Sequence, residues 1–125
     1  MTKTMKPFLM IIIFIGGLLT VAHAQTNVDT ILGKWTNEDK SRVIEFIKNG
    51  SSYNAVIKKA PDESMVGKDQ LTDLVYKNGT YSGKVNLPRK GKSYPCTVTI
   101  KSDGALQLTA RAGFISKSQT WTKVQ

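Results

Sequence analysis

Histidine and cysteine are nearly absent from this chain of 125 residues, which contains one of each, His23 and Cys96. His23 lies in an N-terminal segment that we expect to be removed, so the remaining chain has no histidine. That part of the chain therefore cannot form a Ser–His–Asp triad, a Cys–His nucleophile or a histidine-ligated zinc site. A single cysteine also cannot form an internal disulfide bond, so the domain must be held together by its core.

The N-terminal segment has the three parts of a secretory signal peptide. Lys3 and Lys6 make its start positive, an apolar run follows over residues 8–21, and Ala22-His23-Ala24 offers a cleavage site. The apolar run is shorter than the roughly 20 residues of a membrane-spanning helix, and an uncleaved anchor is the alternative interpretation. We predict a signal peptide over residues 1–24, which would touch the membrane only during export, one domain over residues 25–125, and a periplasmic or secreted location.

Basic residues outnumber acidic residues along the chain, 18 to 9. Without Lys3 and Lys6, 16 basic residues remain, and they are scattered, with the densest cluster at Arg89-Lys90-Gly91-Lys92. Such a surface can simply be solvated, or it can meet an anionic component of the cell envelope, such as lipid head groups or an acidic polymer.

Helical periodicity is also lacking after residue 25, where apolar and polar residues alternate instead. The clearest alternation runs over residues 94–101, and Asn-Gly or Asp-Gly dipeptides at 49–50, 78–79 and 103–104 are strong signals for tight hairpin turns. The pattern predicts eight strands, over residues 33–37, 42–48, 52–58, 70–76, 80–87, 92–101, 105–111 and 118–124.

Eight short strands in near-consecutive hairpins must protect their edges, and closure into a barrel removes the edges altogether. We therefore predict an all-β fold, a small eight-stranded antiparallel up-and-down barrel, with a two-sheet sandwich as the alternative. Residues 60–69 are expected to form a loop over one barrel mouth, with or without a helical turn. Residues 26–32 are expected to form a short helix that plugs or caps the other mouth.

Several short motifs, in this order, resemble a known bacterial family: Gly33-Lys34-Trp35, Val66-Gly67, Tyr81-Ser82-Gly83-Lys84, Gly91-Lys92-Ser93-Tyr94, Arg111-Ala112-Gly113-Phe114 and Gln119-Thr120-Trp121. Together they are similar to the exported proteins catalogued as domain of unknown function 2147. The chain departs from the family pattern at two positions. The family usually has an acidic residue where this chain has Leu87, and a glycine where it has Ala112. The resemblance implies a lipocalin-like β-barrel and no assigned activity.

The Gly-x-Trp opening is also similar to that of lipocalins, in which the Trp closes one end of the barrel beneath a basic residue. This similarity implies that Arg111 or Lys123 packs on Trp35. The first and last strands of a closed barrel are neighbours, so Trp35 and Trp121 could meet there, as the floor of a ligand cavity or as a plug of the core. We place the candidate ligand site at this barrel end, formed by Trp35, Tyr81, Tyr94, Arg111 and Trp121.

Three functions follow as hypotheses. The leading one is a non-enzymatic binding module for a small apolar or lipid-like ligand, and the alternative is an envelope-structural or interaction module that acts through its basic surface. A carboxylate-based hydrolase ranks last, because acids such as Glu45 and Asp73 belong to no motif. Cys96 is interpreted as a small buried hydrophobe. We predict no metal site and no cofactor, and export argues against a nucleic-acid partner.

Overall fold

Eight antiparallel strands, each hydrogen-bonded to the next, close into a barrel in the computed structural model, which describes residues 28–125. The predicted all-β up-and-down barrel is confirmed, the two-sheet alternative is wrong, and the predicted signal peptide and its cleavage site lie outside the described residues. The strands are β1 (Gly33–Thr36), β2 (Val43–Asn49), β3 (Ser52–Lys59), β4 (Asp69–Lys77), β5 (Thr80–Leu87), β6 (Lys92–Ile100), β7 (Leu106–Ala112) and β8 (Ile115–Lys123).

The up-and-down order places the connections alternately at the two ends of the barrel. The turns at 50–51 and 78–79 and the loop at 101–105 lie at one end, together with the start of β1, and we call this the closed end. The loops at 37–42, 60–68 and 88–91 and the turn at 113–114 lie at the other end, which we call the open end. The predicted loop after β3 contains a 3-10 turn, Glu63–Met65, whose N-cap residue Asp62 accepts a 3.0 Å hydrogen bond from the Ser64 backbone N–H.

The last hairpin differs most from the prediction, because β8 begins at Ile115 instead of residue 118. Its turn, Gly113-Phe114, has no Asn-Gly or Asp-Gly dipeptide. Gly113 has a φ of +65° and the φ of Phe114 is not positive, which is the pattern of a type II′ turn with glycine at its first central position. The ladder between β7 and β8 therefore extends to the pair Ala112 and Ile115, which directly flank this turn.

The closed end is filled by aromatic side chains and by the segment that precedes β1. The Trp35 indole donates a 2.9 Å hydrogen bond to the carbonyl of Ile31, which is fully buried. Lys123 Nζ lies 4.9 Å from the centre of the Trp35 ring and donates to the carbonyl of Leu32. Lys123 is thus the cation on Trp35, and the alternative with Arg111 is wrong, because Arg111 lies near the open end of β7.

A 3-10 turn, Val28–Ile31, stands where the short helix was predicted over residues 26–32. The barrel forms a compact unit of its own from Ile31 to Gln125, and residues 28–30 belong to a separate unit. Ile31 and Leu32 are the residues of the barrel unit that precede β1.

A bulge in β4 depends on a glycine in the neighbouring strand. The register between β4 and β5 shifts between Thr72 and Val75, and Asp73 has a φ of +58° there. A Cβ atom on Gly83 would lie 2.6 Å from the Thr72 carbonyl oxygen and 2.8 Å from that of Asp73. Only a residue without a side chain therefore lets β5 approach the bulge.

We predict that Gly83→Ala destabilises the barrel by about 1–3 kcal/mol, because the added methyl group must displace backbone carbonyl groups. Ser82→Ala, on the exposed side of the same strand, is the matched control and is expected to change stability by less than about 0.5 kcal/mol. Urea unfolding followed by circular dichroism measures both. Equal unfolding midpoints for the two variants would contradict the steric role of Gly83.

Candidate functional site

A cavity of about 500 Å³ lies in the open half of the barrel, above Trp121. Most of its wall comes from inward-facing side chains of β5 to β8, and Gln70 and Arg42 contribute from β4 and the loop before β2. The apolar lining residues are Val85, Leu87, Tyr94, Leu108, Ala110, Ala112, Ile115 and Trp121. The cavity is a concave, mostly apolar space of the size that small ligands occupy in proteins.

The sequences of β7 and β8 explain why this half of the barrel is hollow. The inward-facing Ala110 pairs with Lys117, and Leu108 pairs with Gln119, so each of these pairs contains a polar side chain and the pair nearer the open end also contains a small one. Alanine leaves space, and a lysine ammonium group keeps its water unless it is paired. This pair of strands therefore cannot supply a dry, filled core above Trp121.

The wall between β8 and β1 is also incomplete. β1 ends at Thr36, and its ladder with β8 consists of two residue pairs, Trp35 with Lys123 and Thr36 with Thr122. From Ile115 to Trp121, β8 has ladder partners on β7 and none on β1. Arg42, in the loop that follows β1, lines the cavity together with this part of β8.

The charge of the cavity has one sign. Arg42 and Lys117 line it, Arg111 borders it from the outer face of β7 between the inward-facing Ala110 and Ala112, and no aspartate or glutamate lines it. None of these three cations has an acidic partner within 4 Å in the part of the chain that the structure describes. Unpaired charges beside apolar walls are less screened than charges on an open surface, so the cavity favours an anion.

Trp121 forms the floor of the cavity and is 2% exposed. Its indole N–H is buried and has no hydrogen-bond acceptor among residues 28–125. Leaving a buried donor unpaired costs roughly 1–3 kcal/mol, so most are satisfied in folded proteins. Trp35 differs in this respect, because its N–H is bonded to Ile31.

The five residues predicted for the ligand site divide between the two ends of the barrel. Tyr94, Arg111 and Trp121 line the cavity. Trp35 and Tyr81 do not; Trp35 packs at the closed end, and Tyr81 is buried in edge-to-face contact with Tyr53 and Tyr76, at ring-centre distances of 5.5 and 4.9 Å.

Sequence reasoning missed Arg42, Lys117 and Gln119 as lining residues. The alternation of Lys117, Gln119 and Trp121 would have placed the first two on the inner face of β8. The predicted strand began at residue 118, which left Lys117 outside it.

Cys96 lies apart from the cavity, in the core, and is 4% exposed. It pairs with Gly83 across the β5–β6 ladder, and burial raises the pKa of its thiol to about 11. The surroundings of Cys96 are those of a small buried hydrophobe, since a reactive cysteine needs a lowered pKa and access to solvent.

Clusters of metal-ligand side chains and long apolar helices are absent from residues 28–125. No three His, Cys, Asp or Glu side chains lie close enough together there to hold a metal ion. Nor does this part of the chain contain a helix with the length and hydropathy needed to cross a membrane. Glu45 forms a 3.6 Å ion pair with Lys58 at a partly exposed position outside the cavity, and the cavity lining contains no carboxylate pair of the kind a glycoside hydrolase uses.

Comparison with known proteins gives one family and one similar fold. The family model described as "Uncharacterized protein conserved in bacteria (DUF2147)" matches residues 33–123. Among solved structures, the chain is similar to protein HP1028 from Helicobacter pylori, described as a member of the lipocalin family. The TM-score is 0.61 at 21% identity, over 76% of this chain and 83% of that chain. This similarity shows a shared fold. A search of curated proteins finds no match.

We predict that Cys96 resists alkylation in the native protein. With a pKa of about 11, roughly one thiol in a thousand is ionised near pH ~8, and the sulfur is also covered by the barrel wall. Iodoacetamide labelling followed by mass spectrometry is expected to be at least about 100-fold slower in buffer than in guanidinium chloride. Equal rates in the two solutions would show that the thiol is accessible in the folded state.

Proposed function

This chain belongs to the bacterial DUF2147 family, and we propose that its barrel is a non-enzymatic binding module for one small amphiphilic ligand with an anionic group. The observation that carries the proposal is the cavity of about 500 Å³ with apolar walls and cations of one sign. The N-terminal pattern of residues 1–24 supports export, so the proposed location is the periplasm or the cell exterior.

The apolar part of the ligand would occupy the depth of the cavity. Val85, Leu108 and Trp121 are all at least 90% buried there and offer an apolar floor and walls. A cavity of about 500 Å³ falls within the range of small-molecule sites, and an eight-stranded barrel can hold one small ligand. A single short acyl chain or a small ring system fits this description.

The anionic part of the ligand would lie nearer the open end. Arg111 and Lys117 are exposed at the open half of β7 and β8, and Arg42 lies on the side where β1 leaves β8 unpaired. Guanidinium groups bind carboxylate, sulfate and phosphate groups through paired N–H donors. An acid group bound by these side chains would fix the orientation of the ligand, with its apolar part toward Trp121.

We predict that Ala110→Phe abolishes ligand binding, because Ala110 faces inward and lines the cavity that the new ring would fill. The probe is 1-anilinonaphthalene-8-sulfonate, whose fluorescence rises in apolar sites. Thr97→Phe adds the same ring at an exposed position of β6 and is the matched control. The proposal fails if the native protein does not bind the probe, or if both variants bind it as the native protein does.

We predict that dodecanoate displaces the probe and that Arg111→Gln with Lys117→Gln weakens this competition by at least about tenfold, because two charge-assisted contacts are lost. Dodecanol, which has the same alkyl chain and no charge, is expected to displace the probe equally well from the native protein and from the double variant. Lys84→Gln with Lys101→Gln, two exposed positions outside the cavity lining, is the charge-matched control. Equal affinities of the native protein for acid and alcohol would contradict the anionic preference.

A further inference from the structure

The turn that joins β7 to β8 carries the most exposed apolar side chains among the described residues. Phe114 has a relative exposure of 108%, which means that it contacts almost nothing, and the adjacent Ile115 has 61%. Other large exposed apolar residues, such as Val66 at 45% and Val75 at 51%, have no exposed large apolar neighbour in the chain. An apolar pair held in water at the tip of a hairpin calls for a partner.

The hairpin holds this tip in a defined position. Ladder pairs between β7 and β8 continue to Arg111 with Ser116 and to Ala112 with Ile115, the last pair before the turn. The tip is therefore presented by two paired strands and a two-residue turn. Phe114 stands at the outermost point of that turn.

The charge around the tip is strongly basic. Arg111 and Lys117 flank the tip on its two strands. The neighbouring 88–91 loop at the same end adds Arg89 and Lys90, and Lys92 follows at the start of β6. From residue 85 to the end, the chain has seven lysines and arginines and one acidic residue, Asp103, which lies at the closed end.

The acids of the open end lie in other loops. They are in the 37–42 and 60–68 loops and at the start of β4. Among them, the pKa of Asp62 is lowered mainly by hydrogen bonds from Ser64, and the charges of Arg89 and Lys68 add to this effect. The β7–β8 side of the open end therefore combines an apolar tip with uncompensated positive charge.

We propose that the β7–β8 tip, Phe114 and Ile115 with the cations Arg111 and Lys117, docks the protein on an anionic lipid bilayer. Aromatic and aliphatic side chains insert at the boundary between head groups and acyl chains, and nearby lysines and arginines bind the anionic head groups. A stable protein partner would need a continuous contact area of about 800 Å² on this chain. A protruding phenylalanine ring beside an exposed isoleucine, among cations, matches a bilayer surface better.

The docking site adjoins the cavity. Ile115, Arg111 and Lys117 belong both to the tip region and to the cavity lining. A barrel docked by this tip turns the open half of its cavity toward the lipid, so that an amphiphile can pass between bilayer and barrel without crossing much water. The docking itself rests on the exposed tip alone and does not require that the cavity binds anything.

The experiment is sedimentation of the purified protein with vesicles of phosphatidylcholine, with or without phosphatidylglycerol. The native protein is expected to sediment with the anionic vesicles and not with the neutral ones, and added salt is expected to weaken the binding. Phe114→Ser is expected to weaken it by roughly tenfold. Val75→Ser, which removes an exposed apolar side chain near the closed end of β4, is the matched control and is expected to bind like the native protein.

Insertion is tested separately with Phe114→Trp, whose emission is expected to shift to the blue when anionic vesicles are added. Ala110→Phe fills the cavity and leaves the tip intact, so it is expected to bind vesicles normally even though it loses the fluorescent probe. The docking proposal is overturned if the native protein does not bind anionic vesicles. That result is expected if the tip binds a protein partner instead. The proposal is also overturned if Phe114→Ser binds as tightly as Val75→Ser, or if the Trp emission does not move.

Discussion

The contact between Lys123 and Trp35 closes the barrel where its ladder is shortest. β1 and β8 share two residue pairs, and one of them joins these two side chains. The ammonium group lies over the indole ring and also donates to the carbonyl of Leu32, which ties the end of β8 to the segment before β1. A cation over an aromatic face is worth about 0.5–1 kcal/mol at an exposed site and more when it is partly desolvated. At a seam with two ladder pairs and one further backbone hydrogen bond, from Val124 N–H to the Lys34 carbonyl, such a contact adds to the stability of the pairing between the first and last strands.

The short seam also determines where the barrel is solid and where it is hollow. At the closed end, β1 and β8 are paired, and Trp35 and the edge-to-face tyrosines fill the interior. Toward the open end, β1 has ended, and Ala110 and Lys117 face each other across β7 and β8. The same two strands then continue past the wall into the Phe114 tip. Closure, cavity and tip therefore follow one another along β8, from Lys123 to Ile115.

Local sequence signals predicted most of the fold because hairpins are local structures. The Asn-Gly and Asp-Gly dipeptides marked three turns, and the alternation on either side marked the strands. The turn at Gly113-Phe114 was missed because a type II′ turn requires only a glycine at its first position, which is a weaker signal than a dipeptide. That omission removed the start of β8, with Lys117, from the predicted sheet. The bulge at Asp73 was also invisible, since it depends on the carbonyl groups that approach Gly83 from another strand.

The sequence by itself determined the strand content, the order of the hairpins, the basic charge and the absence of histidine after residue 23. Each of these depends on composition or on neighbours in the chain, and period-2 alternation shows which residues share a face. Only the tertiary structure decided which inward residues lie at the same height in the barrel. That height depends on the register of every ladder, and above all on the pairing of β1 with β8, 80 or more residues away in the chain. For this reason Tyr94, Arg111 and Trp121 came together at the cavity, while Trp35 and Tyr81, equally plausible from their sequence pattern, lie in the packed end.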